Sequence, residues 1–293
     1  MSYLVQNVIN ALDLGCLYAL YALGVALVFG ILRLINFAHS SLIMAGAYTL
    51  VLTDSWPLWV RLAVALAVTI GLSLLLDLIA FRGIRQADSA TLMVTSFGVS
   101  IAMTSLAESL FGALPRSTQV SAWMMSSWRL GDVFVPRVNL VTVAVTGLLL
   151  AGLTLFLTHT SLGLQMRAAA ADFATARMLG VRANRVISVA FVIAGILAFT
   201  ASVFLLTSSG SATPDFGFGA LLFGLVAAVV GGLSSLKGAA VGGLALGAAS
   251  QALQATLPVD TKPFRDAFLF AAVFLLLVLR PSGLVKSDEG TRV

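Results

Sequence analysis

Glu108 is the clearest acidic side chain inside an apolar run of this sequence, SFGVSIAMTSLAESL. An acid in such a setting is functional by default. A carboxylate there can accept hydrogen bonds from the ammonium group of a bound molecule. It can equally pair with Arg116 or sit protonated. The same run carries Thr91, Thr95, Ser96, Ser100, Thr104 and Ser105, a hydroxyl series that would hold one face against other helices or a wet cavity. Asn36 and His39 lie one helical turn apart. They either satisfy backbone groups at a helix junction or shape a gate. The other histidine, His159, follows a different run. No HExxH, no serine-nucleophile motif and no paired carboxylates are present, so no catalytic residue and no metal site is expected. Lys237 between Gly232 and Gly238 superficially resembles a phosphate loop. A P-loop needs Gly-Lys-Ser/Thr opening a helix, and Lys237 is followed by Gly238-Ala239. The chain is expected to hold no ATP and no other cofactor of its own.

A second group of charges stands together. Residues 161–188 carry Arg167, Asp172, Arg177, Arg182 and Arg185 in a chain with only 10% charged residues. This helix-favouring stretch between two apolar runs is either a loop helix lying on lipid headgroups, attracted through its arginines, or a surface where a membrane protein is handled by a soluble partner.

The elements that must position these residues are built for lipid. Of 293 residues, 59% are hydrophobic, and mean hydropathy is +1.03. Repeated apolar stretches approaching membrane-spanning length mean an all-α, polytopic helical membrane protein; a barrel would show short alternating strands. The single cysteine, Cys16, allows no intramolecular disulfide. The start, Met-Ser-Tyr, has no basic region, so the first run is read as a retained span.

Apolar runs fall at 8–32, 37–53, 58–81, 90–112, 138–158, 186–208, 218–233, 238–256 and 265–280. That predicts about eight or nine transmembrane or re-entrant helices in one domain, 1–293, with 218–256 either two spans or a re-entrant hairpin. With the N-terminus outside, 11 of the 17 Lys and Arg, among them Arg33, Arg82, Arg85, Arg182, Lys286 and Arg292, share the side that holds residues 161–188. The other 6 share the opposite side with all four tryptophans, Trp56, Trp59, Trp123 and Trp128. The positive-inside rule makes the first side cytoplasmic. Removing one span would scramble this partition. A basic net charge of +5 therefore reports topology rather than nucleic-acid binding. Gly238/Gly242 and Gly243/Gly247 are small-xxx-small pairs that let helix backbones touch.

Several segments in order carry a family resemblance: LYALYALGVALVFGILRLINFAHS (17–40), FRGIR (81–85), SLGLQMRAAAAD (161–172), ARMLGVRANRVI (176–187), VVGGLSSLKGAAVGG (229–243) and LRPSGL (279–284). The chain resembles the LivH-like permeases of branched-chain amino-acid ABC importers nearly end to end. It departs at Ser40 and Gly83, where the family usually has Gly and often Pro, and at Glu108, where an amide is common. Within 161–188, Ala174-Thr175-Ala176-Arg177-Met178-Leu179-Gly180 has the spacing of the importer coupling motif, Glu-Ala-Ala then Gly, with the Glu absent.

The resemblance implies an ABC importer permease fold and a transport subunit rather than an enzyme. It would import branched-chain or other hydrophobic amino acids by ATP-driven alternating access. The same family with urea, short amides or another small metabolite as cargo is the alternative. An ion-coupled secondary transporter would need several buried ionisable groups. The implied partners are a homologous second permease or a second copy, two cytoplasmic ATPases that bind the ATP, and an extracytoplasmic binding protein meeting segments 113–137 and 208–217. The implied setting is the bilayer of the bacterial inner membrane, C-terminus cytoplasmic. Asp172, Ala176, Arg177, Gly180, Arg182 and Arg185 are the expected ATPase-coupling residues. Asn36, His39, Thr95, Ser96 and Glu108 are the expected substrate path.

Overall fold

The computed structural model describes residues 2–32, 34–85, 87–233, 235–280 and 283–284. Arg33, Lys286 and Arg292, used above for orientation, lie outside them, as do Pro281 and Ser282 of the 279–284 segment.

Each of the nine apolar runs forms a helix. In chain order the helices are α1 (Ser2–Leu32), α2 (His39–Leu52), α3 (Leu58–Leu75, continued by a π-helical turn, Leu76–Phe81) and α4 (Ser89–Phe111). The short α5 (Ala122–Met125) precedes α6 (Arg137–His159), α7 (Ser161–Ala171), α8 (Phe173–Met178) and α9 (Ala183–Ser209). Then come α10 (Phe216–Gly231), α11 (Leu236–Thr256), a 3-10 turn (Val259–Phe264) and α12 (Arg265–Leu279). Two small antiparallel ribbons stand outside the helices. One pairs β1 (Arg116–Ser117) with β4 (Ser211–Ala212); the other pairs β2 (Ser127–Leu130) with β3 (Val133–Pro136).

Length separates these helices into classes. Among the described residues, five are long and apolar enough to cross a bilayer, on α1, α3, α4, α6 and α9. The pair α10 and α11 meets at a 114° bend and makes one more crossing if taken together. The 14 residues of α2 and 15 of α12 fall short of the ~20 an upright crossing needs. The expected eight or nine transmembrane or re-entrant helices are therefore five long spans, a bent pair and two short apolar helices. The chain is a polytopic helical membrane protein.

The core is α1 with α9: 72% and 67% of their apolar windows are buried, against 22% for α4 and 17% for α6. Lipid is as apolar as leucine, so helices in it associate through close packing and hydrogen bonds rather than by escaping water. Glycine placement supplies the closeness. On α11, a methyl group at Gly243 would sit 2.3 Å from the Ala19 nitrogen, and one at Gly247 2.2 Å from the Gly15 nitrogen. On the same helix, Gly238 and Gly242 face α10 instead, 2.3 Å from Gly231 O and 2.1 Å from Ala227 O by the same measure. The two small-xxx-small pairs thus serve different neighbours. Ser73 of α3 adds a 2.5 Å hydrogen bond to the Phe191 carbonyl of α9.

Two ends can be told apart by their contacts. At the first, Asn7 accepts from Gln251 at 3.0 Å, and Gln6 exchanges two hydrogen bonds with Phe134, each 2.9 Å. Arg61, 5% exposed, donates to Leu50 O, Thr118 Oγ1 and Gln119 O. It thereby pins the strand region to the α2–α3 turn. Arg137 lies between Trp123 and Trp128, its guanidinium 5.2 and 5.5 Å from the ring centres, a cation–π arrangement. At the opposite end, α3 stops in its π-helical turn beside the start of α9. There the peptide N–H of Leu284 also donates to Val230 O at 2.7 Å, closing the carbonyl end of α10.

Candidate functional site

The break between α1 and α2 is a turn held by its own polar atoms. Asn36 Oδ1 accepts from the Ala38 N–H at 3.1 Å, and Asn36 O accepts from the His39 N–H at 3.2 Å. The His39 ring lies against α1 where Gly24 leaves room: a Cβ there would be 2.4 Å from Nε2. Asn36 is 4% exposed and His39 2%. Asn36 Nδ2 and His39 Nδ1 have no hydrogen-bond partner among the described residues.

Helix α4 is attached to this break by serines. Ser96 Oγ accepts from the Phe37 N–H at 3.1 Å. Ser100 Oγ lies 3.1 Å from both Ser40 Oγ and Ser41 Oγ. Beyond that seam α4 separates from its neighbours and leaves a cleft of about 270 Å³. Ser40 and Ser41 line one wall, Ser100, Thr104, Ser105 and Glu108 a second, and Asp215 a third; Phe97, Ile101 and Phe218 supply apolar surface. The start of α10 is brought in by Gly217, where a Cβ would stand 1.9 Å from Ser40 O.

Of the five expected path residues, only Glu108 lines this cleft. Ser96 is buried and bonded to the break. Thr95 donates back to Thr91 O at 2.8 Å, and Asn36 and His39 are enclosed at the turn. The pairing of Glu108 with Arg116 is not made, because Arg116 donates to Phe111 O instead, at 2.9 and 3.2 Å. Ser40, Ser41 and Asp215 were not among the expected path residues. Asp215 sits in the turn between β4 and α10, far from Glu108 in sequence, so only the fold could join them.

Segment 161–188 folds as α7, α8 and the start of α9. Gly163 lets α7 turn tightly off α6, where a Cβ would lie 2.2 Å from Phe156 O. Asp172 starts α8 as a cap: Oδ1 accepts from the Thr175 N–H at 3.2 Å and Oδ2 from Thr175 Oγ1 at 2.5 Å. Carboxylates at a helix N-terminus satisfy its free N–H groups. The helix ends on Gly180, with φ +91°. Val181 N–H donates to Ala176 O at 3.0 Å, the reach of a Schellman cap. Of the expected coupling residues, Ala176 faces inward, 3% exposed. Arg177, Gly180, Arg182 and Arg185 are exposed. Met178 and Leu179, just before the Gly180 turn, are each 81% exposed.

A buried ionic knot lies beside this segment. Asp77, 0% exposed, accepts from Arg85, which also donates to Asn184 Oδ1. The other oxygen of Asp77 accepts from Ser188 Oγ at 2.6 Å.

Five long apolar helices, a bent helix pair and a capped surface segment define a multi-pass membrane protein with a polar cleft. The chain belongs to the branched-chain amino acid transport system / permease component family, whose profile matches residues 7–279. It is 31% identical to the high-affinity branched-chain amino acid transport system permease protein BraD of Pseudomonas aeruginosa, over 98% of this chain and 97% of that one. It is 30% identical to the corresponding LivH protein of Salmonella typhimurium, over 99% and 98%. A solved chain described as an inward-facing ABC transporter of metal-chelate type aligns over 93% of this chain and 87% of its own. At 16% identity and a TM-score of 0.49, that likeness carries no argument about state or cargo.

Proposed function

We propose that this chain is the membrane-spanning subunit of an ABC importer that moves branched-chain or other hydrophobic amino acids across the bacterial inner membrane. The observation that carries the proposal is the composition of the cleft. Glu108 and Asp215 share its lining with five hydroxyl side chains and with the apolar Phe97, Ile101 and Phe218. A zwitterion with an apolar side chain suits that pairing: its ammonium meets the carboxylates and its hydrocarbon meets the rings. Two carboxylates would also repel an acidic cargo. The named cargo of the similar permeases agrees with this chemistry.

Movement is by alternating access driven by partner ATPases, which hold the ATP. Coupling requires that their contact energy with the permease differ between states. The exposed Met178–Leu179 tip, stiffened by the Asp172 cap and the Gly180 turn, is the surface offered to them. A second permease or second copy would cover the exposed side of α4 and close the cleft. An extracytoplasmic binding protein would meet the opposite end, where the β1–β4 ribbon ties segment 113–137 to 208–217. In this arrangement the N-terminus is outside and the C-terminus cytoplasmic.

The test is reconstitution with candidate partner ATPases and an extracytoplasmic binding protein. Labelled leucine, isoleucine and valine should be taken up on ATP addition, and Glu108→Gln should alter rate or selectivity. Wild-type kinetics in that variant would remove Glu108 from the path. Uptake of urea or a short amide without leucine would overturn the cargo assignment.

A further inference from the structure

A second and larger concavity, about 770 Å³, opens between the inner end of α3 and the start of α9. Five arginines line it: Arg82 and Arg85 after α3, Arg177 on α8, and Arg182 and Arg185 at the start of α9. No Asp or Glu lines it. Arg85 is engaged by Asp77, but the other four form no ion pair among the described residues. Like charges gathered in one groove repel one another, and an anion bound among them relieves that repulsion.

Depth and lining select the anion. The candidate spans end at Phe81 and begin at Asn184, so Arg82, Arg182 and Arg185 stand at headgroup level. The floor is apolar, formed by Phe173, Val181 and Ile187. In the turn before Arg82, Leu78 is 47% and Ile79 80% exposed, so hydrocarbon side chains face outward three and four positions before the first arginine of the groove. We propose that this groove binds the phosphate headgroup of an anionic phospholipid, with acyl chains leaving along Leu78 and Ile79. Guanidinium forks match phosphate oxygens bidentately, and basic pockets between membrane helices on the cytoplasmic side take such headgroups. A soluble anion would satisfy the arginines but leave the apolar floor and exit unexplained. An acidic protein surface would reach the arginines from water and have no use for Leu78 and Ile79. A bound lipid joins the end of α3 to the segment that leads into α9, and so restrains their relative motion.

The binding test needs no ATPase and is therefore separate from the importer reading. The full chain is extracted from its membrane and its retained lipids are counted by native mass spectrometry. Cardiolipin, phosphatidylglycerol and phosphatidylcholine are then added in turn. The wild type should retain the two anionic lipids over phosphatidylcholine. Arg82→Gln with Arg182→Gln should weaken that retention about 30-fold, since each basic group near an anionic surface contributes about a factor of five. Arg129→Gln with Lys262→Gln removes equal charge at the opposite end and should leave retention unchanged. Equal retention by both double variants would overturn the site. So would displacement of the lipid by millimolar inorganic phosphate, which would assign the groove to a free anion. Loss of co-purifying ATPases from the Arg82/Arg182 variant with lipid retention intact would assign it to a protein partner and overturn it likewise.

Discussion

Ser188 of α9 donates a 2.6 Å hydrogen bond to the buried carboxylate of Asp77 on the π-helical turn of α3. With Arg85 on the other carboxylate oxygen, this contact is where the chain leaving segment 161–188 is fastened to the α3–α4 hairpin. A π-helical turn is a local departure from regular helix pairing and often sits at functional positions; here Arg82 N–H reaches back to Asp77 O at 2.8 Å.

Removing one member of a buried ion pair strands the other. Arg85→Met should destabilise the chain by about 3–5 kcal/mol, whereas Arg85→Met with Asp77→Leu should recover much of that loss. Thermal unfolding of the detergent-purified variants checks both. Equal destabilisation by the single and the double variant would show that the fastening is made by packing alone.

Gly247→Ala brings a methyl group against the backbone of Gly15. Overpacking of this kind costs about 1–3 kcal/mol. At Gly147 on α6, an added methyl group would have no neighbour within 4 Å, so Gly147→Ala should be neutral or stabilising by about 0.5–1 kcal/mol. The same thermal assay separates them, and a tolerated Gly247→Ala would mean that α11 is free to move off α1.

Gly180→Ala meets no neighbour, since the space beside Gly180 is open. The cost is conformational: an L-residue in a left-handed conformation loses about 1–2 kcal/mol. That strain falls on the turn after the Met178–Leu179 tip. Membrane insertion should be unchanged and ATP-driven uptake reduced, with Gly180→Asn milder because Asn tolerates such caps. Unchanged uptake in Gly180→Trp, the bulkier variant, would take this turn out of the coupling surface.

Ser96→Ala leaves the Phe37 N–H without its side-chain acceptor, a loss of about 1–3 kcal/mol for a buried donor. Ser100→Ala should cost less, about 0.5–1.5 kcal/mol, because Ser40 keeps its 2.8 Å bond to Phe37 O. Amide exchange along α4 should rise more in Ser96→Ala. The reverse order would place the attachment of α4 at the cleft rather than at the break.

The helices were legible because apolar run length is a one-dimensional signal. All nine runs became helices, and the family resemblance carried by segments such as 17–40 and 229–243 is met by a profile match over 7–279. Which runs cross alone was less legible. The shortness of α2 shows in the sequence, but the 114° bend after Gly231 does not. Glycine periodicity announced close contacts on α11, yet only the fold reveals that Gly238 and Gly243, five positions apart, touch different helices. The cleft was half legible. Hydroxyls along 91–105 marked α4 as a helix with a polar face, while Ser40 and Asp215 join it through long-range packing that no spacing encodes. Ala176 reads as a small residue suited to docking, and the structure turns it inward, 3% exposed, with its carbonyl accepting from Val181 in the Schellman turn. Position 174 holds alanine rather than an acid, and Asp172, two positions earlier, caps the helix through Thr175.

The hydrogen bond from Leu284 to Val230 O has a consequence for the order of assembly. The last carbonyl groups of a helix have no partner within it and need a donor from elsewhere. The donor for this one is translated only after α11 and α12. The carbonyl end of α10 is therefore closed by a residue that lies beyond both α11 and α12 in the chain, so this hydrogen bond forms only after those helices have been made.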